Sequence, residues 1–255
     1  MSQLDAKAVV VGVNGSQAAV NAAKWAIDEA IGRQLPLRLV YVMPRGPRRI
    51  GSGPRSEWEV ERGEIALAEA ECAIQSERKP VEIETAIVSG NPAEALINES
   101  QDAALVCVGT ARRGWASDGL LGPTATGLVA RAHCPVAIIR TSDGSPRELG
   151  VIAVVLNDEP DNDEVVHQAM EEGRRRHAIV RQIDRRLNSW VRRYPDVHVQ
   201  TVAAGSGAKY GGKPGSAIEL AVVGRADAEE MAALATPNCH PIVGYPDCSV
   251  LVVRH

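Results

Sequence analysis

The sequence predicts an α/β protein built from two related domains with mainly parallel sheets, the second domain shorter than the first. Three observations predict it. Short apolar, β-branched runs alternate with stretches of helical periodicity through the first half. The apolar runs are near-continuous rather than alternating, as in parallel strands covered on both faces. The landmarks of the first half then recur, in order, in the second. Leu105 to Val108, Gly109, a loop and helix ending at Cys134, and the strand-like Val136 to Arg140 are answered by Leu220 to Val223, Gly224, Cys248 and Val250 to Arg254. Gly109 to Cys134 is 25 positions and Gly224 to Cys248 is 24, so the segments align with one deletion. The openings match as well, Val10 to Asn14 against Ala153 to Asn157.

Each element of the first half has a local reason. Ala8 to Val13 is an apolar strand stopped by the turn-forming Asn14-Gly15-Ser16. Ala18 to Ile31 carries Val20, Ala23, Ile27 and Ala30 at helical spacing and ends near Gly32. Leu37 to Val42 is the next strand, and the Pro-, Gly- and Arg-rich stretch from Pro44 to Pro54 reads as a mobile loop. A long helix is expected from about Glu57 to Ser76, then a strand from Val81 to Ile87. Asn91-Pro92 opens a short helix, because Asn caps well and Pro suits the first turn. Strand Leu105 to Val108, a glycine loop, helix Thr124 to Ala132 and strand Val136 to Ile139 complete the domain.

Composition narrows the function classes. A hydrophobic content of 45% fills a core, but with 3% aromatic residues and no Phe that core must be aliphatic. A net charge of −4 gives no general reason to expect nucleic acid or an acidic membrane as partner. No apolar run has the length of a membrane span, and the N-terminus lacks a signal peptide's regions. Five cysteines without CxxC spacing argue against a disulfide framework and against zinc, so no metal is expected and the cytoplasm is the expected location.

In a parallel sheet, ligands bind at the carboxyl ends of the strands, where connections diverge to opposite faces. Here those ends carry Val13-Asn14-Gly15-Ser16, Val42-Met43 and Gly109-Thr110-Ala111-Arg112. Glycines in the last loop let backbone approach a phosphate, and the helix after Gly122 offers free N–H groups and a positive dipole end. No nucleophile–base pair is visible, so the chain reads as a nucleotide binder rather than an enzyme, with no catalytic residue assigned.

The first half resembles the universal stress proteins, and the complete chain resembles their tandem actinobacterial form. The residues that carry the resemblance are Val9 to Ser16 (VVVGVNGS), Gly90 to Ile97 (GNPAEALI), Val108 to Trp115 (VGTARRGW), Leu120 to Pro123 (LLGP) and Ala132 to Val136 (AHCPV). The resemblance spans residues 1–141 and implies a Rossmann-like fold, a stress-response role and ATP or another adenine nucleotide as ligand. ATP-binding members carry a G-x2-G-x9-G-[ST] phosphate loop and an Asp after the first strand. The outer glycines fall at Gly109 and Gly122, but the middle one is Arg112, the final hydroxyl is replaced by Pro123, and the Asp is Asn14. A hydroxyl common one turn further on is Ala125. Pro123 removes a donor N–H and a hydroxyl together. Arg112 either supplies charge in compensation or fills the phosphate space. The resemblance thus places Val13, Asn14 and Val42 near an adenosine and Gly109, Arg112, Gly122 and Thr124 near its phosphates. The altered loop supports the alternative, a scaffold or adaptor acting through protein contacts without nucleotide.

In the second half, Asn157 to Gly224 is 67 positions where Asn14 to Gly109 is 95, and the missing part is read as the second strand and its loop. Glu164 to Arg193 reads as one long helix, kinked near Gly173, before a strand from Val197 to Val202. The acidic Arg225 to Glu230 stretch after Gly224 disfavours phosphate, and Gly205 to Gly215 lacks Walker spacing. Other tempting residues take bland readings. Cys134 beside His133 is a small buried residue, and Trp115 packs over its loop or at a subunit contact. Arg174 to His177, with Arg185, Arg186, Arg192 and Arg193, is a solvated basic face; Asp158, Glu159, Asp161 and Asp163 cap a helix. The expected organisation is residues 1–141, a linker 142–150, and a degenerate domain 151–255. The resemblance implies an internal pseudo-dimer, its last strands Val136 to Ile139 and Val250 to Val253 meeting edge to edge, or a homodimer, and an unidentified protein partner is expected.

Overall fold

The computed structural model describes residues 7–44, 55–110, 121–140, 150–154, 162–182, 193–201, 218–224 and 249–254. The chain forms two compact units, the described residues through 140 and those from 150 onward. The first unit runs β1 (Ala8–Val13), α1 (Gln17–Arg33), β2 (Leu37–Met43), α2 (Arg55–Ser76), β3 (Ile83–Ser89), α3 (Pro92–Glu99), β4 (Ala103–Thr110), α4 (Pro123–Arg131) and β5 (Val136–Arg140). Its strands are ordered β3-β2-β1-β4-β5 and all pair in parallel. Helices α1 and α2 pack together on one face of the sheet, while α3 and α4 pack together on the other.

Burial explains the unbroken apolar runs. Val9, Val11, Leu37, Leu39, Leu105, Val106 and Val136 are 0% exposed, because both faces of the central strands are covered. Each such side chain contributes roughly 1.5–3 kcal/mol of transfer free energy, so the aliphatic content alone supplies a core without Phe. Gly63 of α2 is where the helix comes down on the sheet: a Cβ there would lie 2.8 Å from Tyr41 Cδ1. Ser16 caps α1 by accepting from the Ala19 N–H, and Asn91 caps α3 by accepting from Ala93 and Glu94, with Pro92 in the first turn. Helix α1 runs past Gly32 to Arg33 and ends with Gln34 in the left-handed region, the Leu35 N–H bonding back to Ala30.

The second unit contains β6 (Val151–Val154), α5 (Asn162–Arg176), β7 (Ile179–Gln182), β8 (Val199–Thr201), β9 (Ile218–Val223) and β10 (Ser249–Val252). Its strands pair in parallel in the order β8-β7-β6-β9-β10. This corrects the sequence reading twice. The long helix expected from Glu164 to Arg193 stops at Arg176, where His177 takes a left-handed conformation and the Ala178 N–H bonds to the Gly173 carbonyl. The second strand is present rather than missing, as β7 beside β6. Ile179 and Ile183 are four positions apart, a helical interval, which disguised a four-residue strand as more helix. Gly173 marks the close packing of α5 on β7 and on the residues that lead into β8: a Cβ there would meet Val180 Cγ2 at 2.6 Å and Val197 Cγ1 at 3.2 Å. The shortening falls largely between β7 and β8, Gln182 to Val199, against Met43 to Ile83 in the first unit.

Candidate functional site

In the first unit the chain leaves β1 towards β2 on one side and leaves β4 towards β5 on the other. The crevice between the carboxyl ends of β1 and β4 is therefore the switch point of the sheet, where a parallel α/β fold receives ligands. Val13 ends β1 and is buried, 3% exposed. Asn14 follows it into solvent, and its Oδ1 accepts the Ser16 N–H at 3.1 Å. That bond fixes the carboxamide, because the oxygen must face the donor, and directs the NH2 group away from the turn. Gly15 has φ 75, which suits glycine, so the chain turns sharply into α1. Val42 lies near the end of β2, buried beside Val88 in the register of β3. The Gly90 N–H donates to the Met43 carbonyl at 2.9 Å, which closes this end of the edge.

The two outer glycines of the loop differ in role. Gly109 is inside β4, opposite Ile139 of β5, and not in the loop where sequence spacing put it. A Cβ on Gly109 would sit 1.9 Å from the Ala18 carbonyl oxygen, so the glycine is required for the first turn of α1 to cross the strand. Gly122 is different: it is exposed, its φ of −71 suits any residue, and among the described residues nothing lies within 4 Å of where its Cβ would be. It is the N-cap of α4 and offers no side-chain cap. Pro123 opens the helix without an N–H, and the Thr126 N–H already bonds to the Gly122 carbonyl at 3.0 Å. Among the described residues, the amides of Thr124 and Ala125 are thus the backbone donors left in this turn. Thr124 is half-buried and Ala125 buried. Arg112 and Trp115 lie outside the described residues.

Sequence reasoning placed Ser16 in the turn after the first strand but did not assign it the helix-capping role by which it ties β1 to α1. The neighbouring candidates prove structural. The Cys134 thiol is buried and donates to the Pro135 carbonyl, and the His133 N–H donates at 2.8 Å to the hydroxyl of the fully buried Ser100. Arg174 pairs with Glu171 and Asp196, and Arg175 and Arg176 both pair with the buried Glu172, so this basic run is neutralised by adjacent carboxylates. Among the described residues no group of His, Cys, Asp and Glu is placed to hold a metal, and no helix is long and apolar enough to cross a membrane. Cys239, Cys248, Arg185, Arg186 and Arg192, the loop Gly205 to Gly215 and the acids from Asp158 to Asp161 lie outside the described residues; Asp163 is in the first turn of α5.

The model of the universal stress protein family matches residues 6–140, and the chain belongs to that family. One universal stress protein of Mycobacterium tuberculosis strain H37Rv is 37% identical over 266 residues, covering 97% of this chain and 96% of the relative. A second from that strain is 34% identical over 261 residues, covering 92% and 94%. The crystal structure of a universal stress protein from Archaeoglobus fulgidus has the same fold, with a TM-score of 0.68 at 13% identity over 97% of this chain and 96% of that one.

Proposed function

We propose that the first unit binds an adenine nucleotide and that the protein acts as a nucleotide-responsive stress regulator rather than as an enzyme. The observation that carries this reading is the bare N-terminus of α4. Gly122 leaves it without a side-chain cap at the carboxyl edge of the sheet, and among the described residues nothing lies over it or bonds its two amides. A negatively charged phosphate is the chemistry such a terminus favours. Asn14 adds a carboxamide NH2 at the same edge, a donor suited to an acceptor on the ribose or the base. Val13, Asn14 and Val42 would flank the adenosine; Gly109, Arg112, Gly122 and Thr124 would surround the phosphates. Residues 1–141 and 151–255 are read as duplicated domains, the second with the acidic sequence Arg225 to Glu230 where a phosphate would need donors, and the location as cytoplasmic.

Pro123 favours a second reading. It removes one donor from the turn, and a scaffold with a decayed site would carry such a change without cost. Calorimetric titration of ATP, ADP and cyclic AMP into nucleotide-stripped protein separates the two. Saturable binding at one site per chain supports the regulator, and absence of heat with all three supports the scaffold. If the regulator reading holds, Pro123→Ser restores an N–H and a hydroxyl and tightens ATP binding about tenfold, the worth of one or two charge-assisted hydrogen bonds.

A further inference from the structure

The first unit carries an apolar stripe that no described residue covers. Ile65 is 52% exposed and Trp58 is 45% exposed, both on α2, and Cys72 on the same helix is exposed. The three are seven residues apart. With about 100° of turn per residue, Trp58 and Cys72 project within roughly 20° of Ile65, so they form one line along the helix. Exposed Arg62 and Glu69 flank that line on one side, and exposed Glu61 and Ala68 flank it on the other. The Arg62 guanidinium lies over the Trp58 ring, 5.4 Å from its centroid.

We propose that this stripe is a homodimer interface, in which α2 pairs antiparallel with α2 of a second copy across a two-fold axis beside Ile65. The charge pattern selects that occupant. The two-fold brings each flank against the same flank of the partner, running in the opposite direction. With a rise of about 1.5 Å per residue, Arg62 lies ~4.5 Å along the helix from the centre, and Glu69 of the partner subunit ~6 Å along in the same direction. Each Arg62 thus meets the partner's Glu69, and the contact occurs twice. On the other flank Glu61 faces the partner's Ala68, so no like charges are opposed. Ile65 meets its own mate at the centre, Trp58 covers the partner's Cys72, and the two helix dipoles oppose each other. The interface stands apart from the nucleotide reading and does not depend on it.

Sedimentation velocity of the full chain over a range of concentrations tests the proposal. The wild type should show a reversible monomer–dimer equilibrium, and Ile65→Glu should weaken it by at least about tenfold through a buried, unpaired carboxylate. Arg62→Glu should weaken it as well, and adding Glu69→Arg to that variant should restore it, since the pair is only reversed. In a Cys72→Ser background, Ile65→Cys should cross-link under mild oxidation, whereas native Cys72 should not cross-link to itself. A monomer at every concentration, a dimer indifferent to Ile65→Glu and to the charge reversal, or a native Cys72–Cys72 cross-link would each overturn it. Circular dichroism of each variant reports folding, and the charge-restored double variant decides the question even if Ile65→Glu does not fold.

Discussion

At the residue scale, two glycines that a motif treats alike do different things. Gly109 is demanded by packing, since any side chain would collide with the Ala18 carbonyl at 1.9 Å. Gly122 is demanded by no contact among the described residues, and its backbone angles are ordinary. Gly109→Ala is therefore expected to destabilise the first unit by about 2–4 kcal/mol, because both the strand and the helix turn are fixed. Gly122→Ala should change stability by less than about 1 kcal/mol while weakening nucleotide binding. Denaturant unfolding beside a binding titration separates the two effects. Spacing in the sequence marked both glycines as phosphate-loop residues, and it was silent on α1 crossing β4, because that contact joins residues 91 positions apart. Asn14 was legible as a turn residue for a local reason: its bond to the Ser16 N–H spans two positions.

At the element scale, the first unit was readable because each boundary is written in neighbouring residues. Ser16, Asn91 and Pro92 start helices by bonds and dihedrals that act over three positions. The second unit was not, because β7 is too short to show a period and Ile179 is followed at helical intervals by Ile183 and Leu187. What ends α5 is a left-handed His177, a conformation that sequence signals by Gly or Asn far more often. Beyond that point the chain is tied back to α5 through side chains. Arg174 stacks on Tyr194, 4.8 Å from the ring centroid, and grips Asp196 with bonds of 2.6 and 3.0 Å, while His167 bonds to the Tyr194 hydroxyl. The Arg174 hydrogen bond holds the Asp196 carboxyl below its ordinary pKa. A depressed folded pKa contributes stability that is present above the unfolded value, near pH 4, and lost as pH falls through the folded one. Thermal unfolding followed from about pH 7 down to about pH 3 should therefore show a shallower acid loss in Asp196→Asn than in wild type, by a small margin because the group is exposed.

At the scale of the whole molecule, membership of the universal stress protein family was legible from five short motifs, and the family model and the mycobacterial relatives show it. The strand order of the two units is the same although the sequence between β7 and β8 is much shorter, so the order of the sheet tolerates shortening of that connection. The ligand was less legible, because the residues that distinguish this loop, Arg112 and Pro123, are departures from a pattern, and a departure does not state what replaces it. The proposed function stands or falls with a single nucleotide site at the carboxyl edge of the first sheet. Residue-resolved amide NMR during titration with ATP, ADP and cyclic AMP reads that edge atom by atom. Saturable shifts are expected with at least one of the three, clustered at Val13 to Ser16, Val42, Gly109 and Gly122 to Ala125 and small in the second unit. Amides that stay in place with all three nucleotides, or shifts confined to the second unit, would contradict a site there.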